Sequence, residues 1–191
     1  MKGKSRLDAI FKPHSVAMVG ASGTPGKLGY DVLYNLIHAG FKGSIFPVNP
    51  KADELLGLKA YKDIASSPKA PDLAVIGIPS RMVIGAVEEC GRAGVKAAVI
   101  VTGGFAEAGE GGEKLQAELA ATARKYNVRL IGPNCQGVNA PYASLCASWP
   151  LLTTRGRMAF ISQSGTVGAA LMDWATEEDL GVSVFVSLGN R

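Results

Sequence analysis

Two short stretches of this 191-residue chain place glycines and hydroxyls where a strand would pass into a helix. The first, Gly20-Ala21-Ser22-Gly23-Thr24-Pro25-Gly26, follows the apolar run Val16 to Val19 and precedes an amphipathic stretch predicted helical from Lys27 to Ala39. Glycines there let a ligand approach the backbone, and the unpaired amides of the helix start point at it, which suits a phosphate. The second, Ser162-Gln163-Ser164-Gly165-Thr166, offers two serine hydroxyls, a threonine and helix-start amides, a second anion site without a cationic side chain. Between them, Val48-Asn49-Pro50-Lys51 ends the second predicted strand. A dinucleotide fold would put an acid there against ribose hydroxyls, but this chain has a lysine, and Asp53 comes too late. Lys51 suits a ligand phosphate, such as the 3′-phosphate of coenzyme A (CoA) or the 2′-phosphate of NADP.

The other residues with chemical potential read more plainly. His14 sits just ahead of the first strand and His38 near the end of the first long helix, where structural or solvated roles are expected. Three cysteines, Cys90, Cys135 and Cys146, have no metal-type spacing, and Cys90 falls on the apolar face of a helix. Such a sparse, odd set without an export signal points to a reducing cytoplasm.

The elements that would position these groups alternate regularly. Strands are predicted at Val16 to Val19, Ser44 to Val48, Asp72 to Pro79, Lys96 to Thr102 and Val128 to Ile131. Leu28, Val32, Leu36 and Ala39 mark the first helical stripe, Val83, Val87 and Cys90 the next, and Leu115, Leu119 and Ala123 a third. A short helix is expected at Tyr61 to Ser66. This alternation predicts an α/β, doubly wound parallel sheet whose ligand lies beyond the strands' C-terminal ends. Every glycine- or proline-rich turn falls at such an end. The expected organisation is a domain over residues 1–137, a linker or crossover over 138–155, and an incomplete second α/β unit over 156–191. That unit has strands at Arg157 to Ile161 and Val182 to Val186, flanking a helix, and cannot bury a core alone. A truncated or partial sequence is therefore expected.

Composition narrows the function classes. With 47% hydrophobic residues and a formal net charge of +4, the chain can build a core and suits polyphosphate ligands. No Lys/Arg cluster or base-stacking platform argues for nucleic acid, and no apolar run approaches a membrane span.

The order of six motifs resembles the CoA-binding end of the NDP-forming (ADP-forming) acyl-CoA synthetases, relatives of the succinyl-CoA synthetase alpha subunit. They are Val19-Gly-Ala-Ser-Gly-Thr-Pro-Gly26, Val48-Asn-Pro-Lys51, Ile76-Gly-Ile-Pro-Ser80, Val101-Thr-Gly-Gly-Phe105, Ile131-Gly-Pro-Asn-Cys-Gln-Gly137 and Ile161-Ser-Gln-Ser-Gly-Thr166. The resemblance implies a Rossmann-like CoA-binding domain followed by the start of a flavodoxin-like domain. It implies that Gly20, Ala21, Ser22, Gly23, Thr24 and Gly26 cradle CoA phosphates and that Lys51 meets one of them. By the same resemblance Ile78, Pro79, Ser80, Thr102, Gly103, Gly104 and Phe105 line the nucleotide and pantetheine path. Asn134 and Cys135 would sit near the thiol end, and for Cys135 a small buried residue at a tight turn is an equal reading. Ser162, Ser164, Gly165 and Thr166 look like the family's helix start that faces a phosphohistidine.

That phosphohistidine matches neither His14 nor His38, so no catalytic residue is assigned in this chain. The reaction implied for the parent protein is acyl-CoA + ADP + phosphate ⇌ carboxylic acid + CoA + ATP. ADP/ATP and Mg are expected only in the complete enzyme, with a small carboxylic acid as substrate. C-terminal domains or a nucleotide-binding grasp subunit, in an oligomer, would supply the rest. Two other readings stay open at this point: a stand-alone CoA-binding or redox-sensing module, and an NADP-dependent dehydrogenase or regulator.

Overall fold

A computed structural model describes residues 7–149 and 154–190. Helix α1 (Asp8–Phe11) leads into β1 (Ser15–Val19), whose five residues are all buried. Helix α2 (Leu28–His38) and β2 (Ser44–Val48) follow, then a small hairpin of β3 (Glu54–Leu55) and β4 (Leu58–Lys59). Next come β5 (Leu73–Ile76), α3 (Ser80–Ala93), β6 (Ala97–Ile100), α4 (Glu110–Lys125) and β7 (Arg129–Ile131). Strands β1, β2, β5, β6 and β7 form one parallel sheet in the order β2-β1-β5-β6-β7, which reverses direction beside β1 as a doubly wound sheet should.

Strand alternation sorts the core into two faces. Val16, Met18, Val75 and Val99 point to the side of α2, packing with Val32, Leu33 and Leu36. Ala17, Val19, Ile76 and Ile100 point to the other side, meeting Val83, Val87 and Leu119 of α3 and α4. Each fully buried Val, Leu or Ile contributes roughly 1.5–3 kcal/mol. The central strands are therefore rigid anchors for the turns at their ends.

The described residues of the segment expected to be a linker or crossover hold strands, while residues 150–153 of it lie outside the described residues. Within 138–155, β8 (Gly137–Ala140) and β9 (Leu145–Ser148) form an antiparallel pair, and β10 begins at Arg155. With β10 (Arg155–Ser162) and β11 (Val182–Ser187) they build a four-stranded sheet in the order β10-β11-β8-β9, carrying α5 (Gly165–Glu177). The second unit thus draws strands from the supposed linker. Its sheet also shares a core with the first, since Val138, Leu145, Ala147 and Val186 pack with Leu33 and Val99. Asn35 of α2 seals this contact, its Nδ2 donating to the Ser148 carbonyl at 2.9 Å in the interior. The pattern hid these strands because they are four residues each, interrupted by the buried polar residues Asn139 and Ser148. The helix expected at Tyr61 to Ser66 is absent; Tyr61 pairs in a bridge with Val48, and Ser66 N donates to Asp63 Oδ1 at 2.7 Å in a turn. No described helix is long and apolar enough to cross a membrane.

Candidate functional site

The glycine turn leaves β1 at Gly20, which adopts φ +88°. A Cβ there would strike the Gly77 carbonyl oxygen and come 2.7 Å from Ile78 Cγ2, so only glycine fits between β1 and the turn after β5. Gly29, in the first turn of α2, lies directly against the Gly20 carbonyl, which seats the helix start on the turn. Two amides of the turn are occupied: Gly20 N and Ala21 N donate to the Val48 carbonyl at 3.0 and 3.2 Å. Gly20 and Ala21, expected to offer amides to a phosphate, shape the turn instead. Thr24 N donates to Ser22 Oγ at 3.1 Å. The amides of Ser22, Gly23, Gly26, Leu28 and Gly29 make no hydrogen bond among the described residues. Five free N–H groups at a helix N-terminus, four of them on residues that are not buried, suit an anion.

The loop that carries Lys51 is tied to this turn through Asn49. Asn49 Oδ1 accepts from Lys51 N and its Nδ2 donates to the Ala21 carbonyl, both at 2.8 Å. Asn-Pro at a strand end is a turn signal and was the available clue. The Lys51 side chain is exposed and makes no ion pair among the described residues.

The rim continues from turn to turn along the sheet edge. Thr102 Oγ1 donates to the Ile78 carbonyl at 2.8 Å, joining the turns after β5 and β6. Ser80 starts α3 beside Gly104, where a Cβ would come 3.0 Å from Ser80 Oγ. Gly103 faces Asn134, with a Cβ there 3.2 Å from Asn134 Oδ1. Gln136 then lies against Gly165, a Cβ at which would come 2.7 Å from Gln136 Cγ. Predicted residues from five turns thus share one edge, with Pro79 exposed beside them.

Three predicted residues take different parts. Cys135 is buried, its Sγ donating to the Ile100 carbonyl at 3.3 Å, and burial pushes its thiol up to about 12. Its sulfur belongs to the core, not to a ligand. The Phe105 side chain is likewise fully buried. The amides of Gly104 and Phe105 are not free, because both donate to the carboxylate of Glu107. Burial pushes the Glu107 carboxyl upward, but hydrogen bonds from Asn190 and from those amides outweigh it and hold the group below its ordinary value.

The second anion turn forms at the end of β10. Ser162 Oγ accepts from Ser164 N at 3.1 Å, and Ser164 caps α5 by accepting from Val167 N at 3.3 Å. The amides of Gly165 and Thr166 make no hydrogen bond among the described residues and sit at the helix start with the Thr166 side chain exposed. The two histidines lie elsewhere. His14 precedes β1, at the opposite edge of the sheet, where its amide bonds Asp72 Oδ2 at 2.8 Å. His38 ends α2, its Nδ1 3.0 Å from the Tyr34 carbonyl. A cavity of about 910 Å³ also lies at that opposite edge, lined by His14, Asp72, Lys96 and Arg129, away from the gathered turns. No group of His, Cys, Asp and Glu that could hold a metal occurs among the described residues.

Comparison with known proteins finds two family models along the chain. Residues 14–141 fit the model of the CoA binding domain, and residues 155–191 that of the succinyl-CoA ligase like flavodoxin domain. The alpha subunit of ADP-forming acetate–CoA ligase I from Pyrococcus furiosus is 45% identical over 190 residues, 97% of this chain and 41% of that protein. The ADP-forming 4-hydroxybutyrate–CoA ligase of Nitrosopumilus maritimus is 40% identical, covering 95% of this chain and 26% of that one. Among solved structures, the dinucleotide forming acetyl-coenzyme A synthetase 1 of Ca. Korarchaeum cryptofilum, in complex with phosphate and ADP, superposes with a TM-score of 0.92. It is 46% identical over 96% of this chain and 39% of that chain. The chain spans about two fifths of the alpha subunit's length or less of these relatives. With the glycine turn inside the matched span, the chain belongs to the CoA-binding domain family and continues into a succinyl-CoA ligase-like flavodoxin unit.

Proposed function

We propose that this chain is the CoA-binding portion of an ADP-forming acyl-CoA ligase. The observation that carries the reading is the set of five free amides on the turn between β1 and α2, beside the exposed Lys51. Amides and one exposed cation suit the pyrophosphate and 3′-phosphate of CoA. From there the pantetheine arm would run along the turns of Ile78, Ser80 and Thr102 to Asn134, two residues before Gln136, which lies against Gly165 of the turn of Ser162 to Thr166. That second turn would hold the phosphoryl oxygens of an acyl phosphate while the CoA thiol gives up its proton and attacks the acyl carbon; the C–S bond forms, the C–O bond to phosphate breaks, and the fixed N–H dipoles stabilise the departing phosphate.

The parent reaction would be acyl-CoA + ADP + phosphate ⇌ carboxylic acid + CoA + ATP. Its nucleotide and Mg would be held by other domains or a partner subunit, and so would the phosphate-carrying histidine. Three free, buried cysteines suit a reducing compartment such as the cytoplasm.

Isothermal titration with CoA, 3′-dephospho-CoA, NAD and NADP tests the reading. CoA should bind, and loss of the 3′-phosphate should weaken it by about tenfold, the size of one charged hydrogen bond. Binding of NADP without CoA would replace the ligase reading with a dehydrogenase or regulator.

A further inference from the structure

The turns after β6 and β11 meet at one carboxylate, and the turn after β7 joins them through Asn190. One oxygen of Glu107 accepts from Gly104 N and Phe105 N, ordering its own turn, while the other accepts from Asn190 Nδ2, 83 residues further along the chain. Asn190 is held on further sides. Its Nδ2 also reaches Gln116 Oε1 at 2.9 Å, its Oδ1 accepts from Asn134 Nδ2 at 3.2 Å, and its amide donates to the Pro133 carbonyl at 2.9 Å. The turn carrying Asn190 is a direct extension of β11, whose Ser187 pairs with Ser162 of β10, and Leu188 N donates to the Ser162 carbonyl at 2.8 Å. Asn190 is thus joined through two hydrogen-bonded strands to the turn of Ser162 to Thr166. Ordering the loop after β6 requires only the first oxygen. The second ties the sheet that carries the glycine turn to the sheet that carries the other anion turn.

We propose that Glu107 is a positioning residue for acyl transfer, its contact with Asn190 fixing the distance between the thiol end of the CoA groove and the Ser162–Thr166 turn. This rests on reading the groove as the CoA site. Glu107 touches neither phosphate nor thiol in this role; it acts through Asn190 and β11. Misplacement of reacting groups by an ångström costs on the order of a hundredfold in rate while leaving ground-state binding little changed. The signature of such a residue is a fall in kcat with the KM for CoA preserved.

The test is Glu107→Gln in the natural full-length protein. The glutamine oxygen still accepts from Gly104 and Phe105, but its amide now faces the Asn190 amide, donor against donor. The expected result is kcat down by about tenfold or more, KM and Kd for CoA within about twofold of wild type, and recovery to within about threefold in Glu107→Gln/Asn190→Asp, where donor and acceptor are exchanged and the Gln116 amide, turned over, donates to the new carboxylate. Unchanged kcat in the single variant overturns the proposal, and so does a fall that the exchange leaves in place. Should Glu107→Gln fail to fold, Asn190→Ala breaks the contact from the other side and must give the same split. Wild-type protein that does not bind CoA removes the CoA reading itself. Wild-type binding with no split removes only Glu107.

Discussion

Asn49 Nδ2 donates to the Ala21 carbonyl at 2.8 Å while its Oδ1 accepts from Lys51 N, which ties the loop carrying Lys51 to the glycine turn. The two residues should therefore separate on mutation. Lys51→Ala removes an exposed cation with no protein partner among the described residues, so stability should stay within about 0.5 kcal/mol of wild type. CoA affinity should fall by about tenfold. A wild-type dissociation constant by titration calorimetry would take Lys51 out of the site.

Asn49→Ala should do both kinds of damage. It leaves a part-buried Ala21 carbonyl and the Lys51 amide without their side-chain partner, costing about 1–2 kcal/mol in urea unfolding. The loop carrying Lys51 loses its tether, so CoA affinity should drop as well. Retention of full affinity in Asn49→Ala would mean that Lys51 finds its ligand without the tether.

Gly20→Ala tests the turn's geometry. At φ +88° with the Gly77 carbonyl and Ile78 in the way, an alanine can be seated only by moving β1 away from the turn after β5. The strain of positive φ and the clash together should destabilise by more than about 2 kcal/mol, and CoA binding should be lost in whatever folds. A thermal melt matching wild type would show that the turn is looser than its packing implies.

How much of this was legible in the residues follows from the length of each signal. Leu73–Ile76 and Ala97–Ile100 are unbroken apolar runs buried on both faces, so the parallel sheet and the turns at its ends could be read directly. The tight turn at Gly20 and the helix cap at Ser164 were legible because helix starts and glycine turns have local chemistry. The strands Gly137–Ala140 and Leu145–Ser148 were not, because their burial comes from packing on α2 and β11, contacts distant in sequence. Glu107 and Asn190 were missed for the same reason. A glutamate in a glycine-rich loop looks solvated until the fold brings a partner 83 residues away into contact.

The Glu107 contact also sets a pH dependence. Its carboxyl is held below the ordinary value in the folded protein, so the folded state prefers the ionised form. The stability it contributes is complete above the unfolded value of about 4.3 and is lost as pH falls through the lower folded value. Urea unfolding at pH 7 and at pH 3.5 should show a smaller acid-induced loss for Glu107→Gln than for wild type. Equal losses would mean that other carboxylates account for the whole acid sensitivity.

The cysteines make the opposite prediction at high pH. Burial pushes Cys90 and Cys135 up to about 12 and raises Cys146, while an unfolded thiol titrates near 9.0. A folded value above the unfolded one means the stabilising effect is intact below about 8.5 and is lost as pH rises beyond it toward the folded values. Since the thiolate is the nucleophile, a disulfide reagent at pH 8 should leave all three thiols unmodified in native protein and titrate three in denaturant. Fast modification of one thiol in native protein, blocked by CoA, would instead place Cys135 in the groove. It would also restore the redox-sensing reading that the hydrogen bond from its Sγ to the Ile100 carbonyl argues against.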